Sequence, residues 1–208
     1  MTDIRPRVPK LGRMMNIRPY TPADRDDIAD ICVRTGDGGQ DATGLYSSDA
    51  LLPDIYALPY VDHEPELAFV VDDGQRAVGY ILGTADTRAF AAWFSTRWWP
   101  AVVGNHTGTS DTERSIVASA GNPERMLIKA VDEYPAHLHI DLLPEAQGHG
   151  LGRRLVDTLA AALHARGVQG LHLVVGTSNT SAQAFYRRVG FSELAADADG
   201  VVMGKKTA

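Results

Sequence analysis

From Ala136 onward the apolar positions switch cleanly between strand and helix periods. Ala136–Leu143 reads as a strand and Gly150–Arg166 as a helix whose Leu151, Leu155, Leu159 and Leu163 recur every fourth residue. Leu171–Val175 reads as a second strand and Asn179–Val189 as a second helix. Phe191–Leu194 and Val201–Met203 then form a closing hairpin around Asp199-Gly200. At the other end, a short strand at Met15–Arg18 precedes a helix opened by Thr21-Pro22 and stopped by Gly36. Asp24, Asp26 and Asp27 sit at its positive end, and Ile28, Ile31, Cys32 and Thr35 form its inward face. A polar loop spans Thr35–Gly44, and an irregular helical stretch runs from Ser48 to Leu58. Leu67–Val71 and Ala77–Thr84 flank Asp73-Gly74, a hairpin signal. From Thr87 to Pro135 the pattern is helical but broken. Ser110–Asn122 has little periodicity there, and Pro123 is expected to open a further helix reaching Val131. The first 13 residues read as a polar lead. The order βα, β-hairpin, β-α-β-α-β predicts one α/β layer domain with a mixed sheet.

The segment Leu142-Leu143-Pro144-Glu145-Ala146-Gln147-Gly148-His149-Gly150-Leu151-Gly152-Arg153 carries the most chemistry. A buried strand enters a glycine-rich turn that opens an amphipathic helix. Free N–H groups of the first helical turn, with the helix dipole, suit a phosphate. Gly148, Gly150 and Gly152 would let a pyrophosphate approach the backbone with no Cβ in the way. The turn is neither of the two commonest phosphate loops. It lacks the Lys-Ser/Thr pair of a P-loop, and Arg153 interrupts the spacing of the dinucleotide fingerprint G-x-G-x-x-G.

Composition narrows the partners. The chain has 20 Lys and Arg against 26 Asp and Glu, a net charge of −6, the wrong sign for a nucleic-acid surface. Cys32 is the single cysteine, which excludes an internal disulfide and a multi-cysteine metal site. Its place on an apolar helix face reads as core. No run approaches the roughly 18 apolar residues of a membrane span, and the N-terminus lacks the apolar segment of a secretory signal. A soluble, cytoplasmic protein is therefore expected.

Two further arrangements stand out. His137, His139 and Asp141 alternate along one strand and so share a face, where three polar side chains would be costly against an apolar layer. A wet cavity lining, with Asp141 or His139 accepting a proton, is one reading. Satisfied core histidines are another, and a metal triad serving a hydrolase is a third. The second arrangement is Asn179-x-x-Ala182-x-x-Phe185-Tyr186-x-x-x-Gly190-Phe191, which by itself reads as an ordinary capped helix.

Taken together, Q-G-x-G-L-G after one strand and N-x-x-A-x-x-F-Y-x-x-x-G-F after the next resemble the acetyl-CoA-binding motifs of the GCN5-related N-acetyltransferase (GNAT) superfamily. The stretches RTGDGGQDATG, PELAFVVDDG, VGYILGTADTRAF, RWWP and HLHIDLLPEAQGHGLG also look like bacterial relatives of the acetyltransferase-like C-terminal domain of eukaryotic O-GlcNAcase. The resemblance implies a single domain over residues 14–208 with a mixed central sheet and helices on both faces. It implies acetyl-CoA as cosubstrate, wedged between the strands Ala136–Leu143 and Leu171–Val175. Backbone groups of Leu142 and Leu143 would pair with the pantetheine arm and the thioester. Gln147, Gly148, His149, Gly150, Leu151, Gly152 and Arg153 would hold the pyrophosphate, and Asn179 would bond the pantetheine near the thiol. Tyr186 would protonate the departing thiolate, and an amine-bearing small molecule or lysine would be the acceptor. A catalytically silent CoA-binding or interaction module is the alternative, and a homodimer is left open. On the acceptor side, the loop with Asp37, Gln40 and Asp41 offers carboxylates that would attract a cationic amine or simply form a solvated turn, and Trp98 and Trp99 would wall its pocket or pack the core.

Overall fold

The computed structural model describes residues 15–197 and 200–208. The expected polar lead at residues 1–13 and Asp199 of the last turn lie outside the described residues. β1 (Asn16–Pro19) leads through a 3-10 turn at Pro22–Asp24 into α1 (Arg25–Arg34). Asp24 reaches back to the Thr21 amide at 2.8 Å and holds both terminal nitrogens of Arg18 at 2.7 Å, so it fixes the entry to α1. A loop without regular structure, apart from one Asp37–Gln40 bridge, leads to α2 (Leu51–Tyr56) and α3 (Leu58–His63). β2 (Ala68–Asp72) and β3 (Ala77–Thr84) form the expected hairpin, with the Asp73 carboxylate accepting from the amides of Gln75 and Arg76. The broken region resolves into α4 (Thr87–Trp93), a π-helical turn at Phe94–Trp98, α5 (Trp99–Val102) and α6 (Asp111–Ala120).

Two expectations fail in that region. Ser110–Asn122 contains a helix after all, and Pro123 opens only the 3-10 turn Pro123–Met126. α6 is held by its cap and by a short inward face on which Ile116 and Val117 are partly buried and Ala120 is fully buried. Periodicity has little to report in such a helix. The turn after Pro123 stops because Leu127 is extended.

β4 (Ala136–Leu142), α7 (Leu151–Ala165), β5 (Gly170–Val175), α8 (Thr180–Arg188), β6 (Ser192–Ala196) and β7 (Val201–Lys206) complete the chain. Among the described residues seven strands lie in the order β1-β2-β3-β4-β5-β7-β6, and of these only β4 and β5 are parallel. Every residue of β3 is buried, which is why it reads as a continuous apolar run and not as an alternation. α7 covers one face of the sheet with Leu151, Leu155, Leu159 and Leu163, all nearly inaccessible; α1 and α3 pack on β3 from the other. Cys32 is buried in the core.

The pairing of β3 with β4 sets the position of everything that follows. At Gly79, opposite Leu142, a Cβ would fall 2.3 Å from the Leu142 side chain and 3.0 Å from the Asp141 carbonyl oxygen. Gly79→Ala is therefore expected to lower the unfolding free energy by about 1–3 kcal/mol, the range for overpacking a rigid site. Urea titration of the two proteins measures this directly.

Candidate active site

β4 and β5 are in register only at Ala136↔Leu171 and His137↔His172; beyond these pairs the two strands no longer bond. Each is held on its other side, β4 by β3 as far as Leu142 and β5 by β7 along its whole length. The result is a wedge that opens toward the C-terminal ends of two parallel strands. It is continuous with a cleft of about 1070 Å³ lined by Leu138, Ile140 and Leu142 on one side and by Leu173, Val174 and Val175 on the other.

Alternation along β4 decides which backbone groups face the wedge. The Leu143 N–H bonds to the Val78 carbonyl oxygen at 3.0 Å, so the odd positions turn their backbone groups toward β3 and the even ones toward β5. The Leu143 carbonyl is also taken, by the Ala146 N–H at 2.8 Å, and its side chain is fully buried. Both backbone groups of Leu143, expected to serve a ligand, are engaged within the protein; Ile140 and the Leu142 N–H face the wedge. Gln147 folds back to donate from Nε2 to the Leu142 carbonyl oxygen at 2.9 Å, closing the turn.

The three glycines of the turn divide into two kinds. Gly148 (φ 79°) and Gly150 (φ 72°) are left-handed, and a Cβ on either would project into open space. These conformations turn the chain so that the N–H groups from Gly148 to Arg153 find no acceptor among the described residues. Gly152 serves another purpose. A Cβ there would lie 3.0 Å from the Phe185 ring, so this glycine lets α8 dock on the first turn of α7 and does not make room for a phosphate. Arg153 lines the cleft and ties α7 to α8 by donating to the Arg188 carbonyl oxygen at 2.6 Å. His149 is exposed and off the cleft wall. Asn179 caps α8, its Oδ1 accepting from the Ala182 N–H at 3.0 Å, which leaves the side-chain NH₂ for a ligand.

The polar stripe of β4 separates along its length. His137 is buried and fully partnered: Thr87 Oγ1 lies 2.8 Å from Nδ1 and Tyr60 Oη 2.7 Å from Nε2. Thr87 spends its proton on the Pro135 carbonyl oxygen, so His137 Nδ1–H donates to Thr87 and Tyr60 donates to Nε2. His137 is a satisfied core histidine, held neutral by burial, with neither nitrogen left for a metal. Among the described residues no group of three His, Cys, Asp or Glu side chains is arranged to hold a metal ion. His139 lines the cleft between the rings of Tyr56 and Tyr60, and burial, with the nearby Arg125 charge, lowers it to about 4.

Asp141 also lines the cleft and accepts from the buried Tyr80 hydroxyl at 2.6 Å. Burial raises this carboxyl to about 6, although the hydroxyls of Tyr80 and Thr35 pull it down. Tyr186 is half-buried on the opposite wall, packed on Phe185 and edge-on to Phe191. Burial, and then the Asp141 charge across the cleft, push its phenol up, so it carries its proton throughout the neutral range. The fold therefore brings together a carboxylate that titrates near neutrality and a protonated phenol, on either side of a wedge that ends in free amides.

The acceptor end differs from expectation. The Asp41 carboxylate is occupied with the amide and hydroxyl of Thr43, Asp37 and Gln40 pair through their backbones, and of the three only Gln40 reaches the wall. Trp99 is buried in a stack with Phe94 and His106, and Trp98 donates to the Asp54 carbonyl oxygen at 2.7 Å. Neither lines the cleft. Tyr46, Tyr56 and Ile116 do, together with Thr35. Sequence reading missed all three, since an isolated aromatic in a loop or an irregular helix carries no periodic signal.

The model of the Acetyltransferase (GNAT) family matches residues 40–191. The solved structure of SsHAT superposes with a TM-score of 0.88 at 48% identity, covering 93% of this chain and 98% of that one. The PaiA N-acetyltransferase of Thermoplasma acidophilum, solved with coenzyme A, shares the fold at a TM-score of 0.58 and 14% identity, over 93% and 99% of the two chains. Protein O-GlcNAcase of Rattus norvegicus is 23% identical over 91% of this chain, which spans about a fifth (21%) of that protein's length. A mycothiol acetyltransferase of Catenulispora acidiphila is 43% identical over 58 residues, 28% of this chain and 18% of that one. The chain belongs to the GNAT acetyltransferase family, acyltransferases whose cosubstrate is acetyl-CoA.

Proposed function

We propose that this protein moves the acetyl group of acetyl-CoA to an amine by direct attack, with Asp141 as general base and Tyr186 as general acid. The observation that carries the reading is the pairing of these two groups across one cleft, each in the protonation state its role requires. The amides of Gly148 to Arg153 are suited to the pyrophosphate, the Asn179 side-chain NH₂ and the even-numbered backbone of β4 to the pantetheine and thioester. Asp141 takes a proton from the acceptor nitrogen as that nitrogen bonds to the acetyl carbon. The C–S bond breaks, and Tyr186 gives its proton to the departing sulfur. Polar groups held rigidly at the wedge stabilise charge that develops on the carbonyl oxygen. His139, neutral and enclosed by rings, shapes the acceptor side.

The acceptor wall favours an amine on a neutral or anionic molecule over a polycation. Its surface includes Gln40, Tyr46, Tyr56 and Ile116, the Asp41 carboxylate is engaged with Thr43, Asp37 is not on the wall, and the Arg125 guanidinium lies 5.7 Å from the centre of the Tyr56 ring. Cations near the pocket repel further positive charge.

Two variants test the assignment. Tyr186→Phe keeps the ring packing, so acetyl-CoA affinity should hold while kcat falls by about 10²–10⁴, the usual loss for a general acid. CoA-thiol release with a panel of amines measures this. Full turnover in the variant contradicts the role, and tight CoA binding with no turnover of any amine by the unaltered protein favours the silent module. Asp141→Asn should remove the acid limb that the unaltered protein shows as pH rises through about 6. The same variant has a stability signature. A carboxyl whose folded pKa lies above its unfolded value of 3.8 loses stability as pH climbs from there to about 6. Asp141→Asn escapes that loss, so its Tm should exceed that of the unaltered protein above pH 6.

A further inference from the structure

Glu113 is nearly inaccessible, at 1% exposure, yet it is a carboxylate on a helix whose inward face is otherwise Ile116, Val117 and Ala120. Its carboxylate accepts four hydrogen bonds. Three are local to the start of α6: the Thr109 N–H at 2.6 Å, the Thr109 hydroxyl and the Ser110 N–H at 3.0 Å. With the Ser110 hydroxyl accepting from the Glu113 N–H, these make a capping box. The fourth donor has no part in capping. It is the N–H of Ser47, in the loop between α1 and α2, 66 residues earlier in the chain.

That extra bond joins two walls of the cleft. Tyr46, beside Ser47, and Ile116, one turn beyond Glu113 on α6, both line the acceptor end. The loop that carries Tyr46 has glycines at 38, 39 and 44 in left-handed conformations and no helix or strand between Thr35 and Ala50. Its first half is tied down by the Asp37–Gln40 bridge and by the Ala42 N–H to the Val33 carbonyl oxygen of α1. Residues 44–47 have as hydrogen bonds among the described residues, apart from those to Glu113, only the Leu45 N–H to the Ala42 carbonyl oxygen and the Gly44 N–H to the Asp49 carboxylate. Such a segment has to be ordered for every binding event unless something orders it beforehand. The four donors also hold the Glu113 carboxyl down to about 2, so the clamp is charged at every pH at which the fold would work.

We infer that Glu113 is a positioning residue for the acceptor: by clamping the Ser47 amide it holds Tyr46 opposite Ile116 and so preorganises the acceptor wall. This rests on the acetyltransferase reading for its kinetic consequence but not for its structural one. Glu113→Gln keeps the size of the side chain, loses the charge and replaces one acceptor oxygen with a donor that faces N–H groups. Ser110→Ala is the comparison, because it weakens the cap and leaves the Ser47 bond in place. Hydrogen exchange read by mass spectrometry over residues 44–48 should speed up on the order of tenfold in Glu113→Gln and stay unchanged in Ser110→Ala. In CoA-thiol release with glucosamine, spermidine or Nα-acetyl-lysine amide, whichever turns over, Glu113→Gln should raise the acceptor KM about tenfold, the scale of one hydrogen bond to a charged group. The acetyl-CoA KM and kcat should hold. Unchanged exchange at 44–48, or equal KM effects from both variants, overturns the inference. If none of the three amines turns over with the unaltered protein, it is the acetyltransferase reading that suffers, and the exchange experiment still decides whether the clamp exists.

Discussion

The separation of β4 from β5 after two residue pairs is the constraint on which the site depends. A central pair of parallel strands ordinarily satisfies its backbone groups across the ladder. Here the even-numbered groups of β4 beyond His137 give up that partner, and the sheet survives because β3 and β7 hold the two strands from outside. The turn that follows repeats the arrangement. Gly148 and Gly150 take left-handed conformations that leave a run of amides without acceptors among the described residues, and α7 then adds its positive end. Strand edge and helix start thus form one continuous row of hydrogen-bonding groups, matched to a ligand with a polar arm and a phosphate end.

The same strand has to carry three ionisable side chains on its other face, and each is stabilised differently. His137 is enclosed and gains two hydroxyl partners, so it is inert. His139 is enclosed by rings and is kept neutral. Asp141 keeps one strong donor, Tyr80, and otherwise faces the cleft, so burial raises it to about 6. A gradient of partners along the strand converts a costly polar stripe into a core histidine, a wall and the carboxylate proposed as base.

Much of this was legible in the sequence. The leucine row of α7, the strand before it and the capped helix carrying Tyr186 all follow from periodicity and turn chemistry, because tertiary packing there reinforces local preference. The separation of roles within the stripe was not legible, since it depends on Tyr60 and Thr87, which are distant in sequence. Gly152 looked like the third member of a phosphate turn, but its neighbour Phe185 shows it to be a packing glycine. α6 escaped because its apolar face is only Ile116, Val117 and Ala120, and its capping Glu113 is held by the tertiary partner Ser47 as well as by local residues. The aromatic wall of Tyr46 and Tyr56 depends on how an irregular loop is tied down, and no local rule encodes that.

The central claim is that the acyl donor lies along the amides the chain leaves free. Backbone ¹H–¹⁵N spectra recorded during an acetyl-CoA titration address it residue by residue. The account predicts that the largest shifts fall on the amides from Gly148 to Arg153 and on Ile140 and Leu142, with Leu143, whose N–H already bonds Val78, moving much less. Saturable shifts that bypass the glycine turn, or none at millimolar ligand, would contradict it.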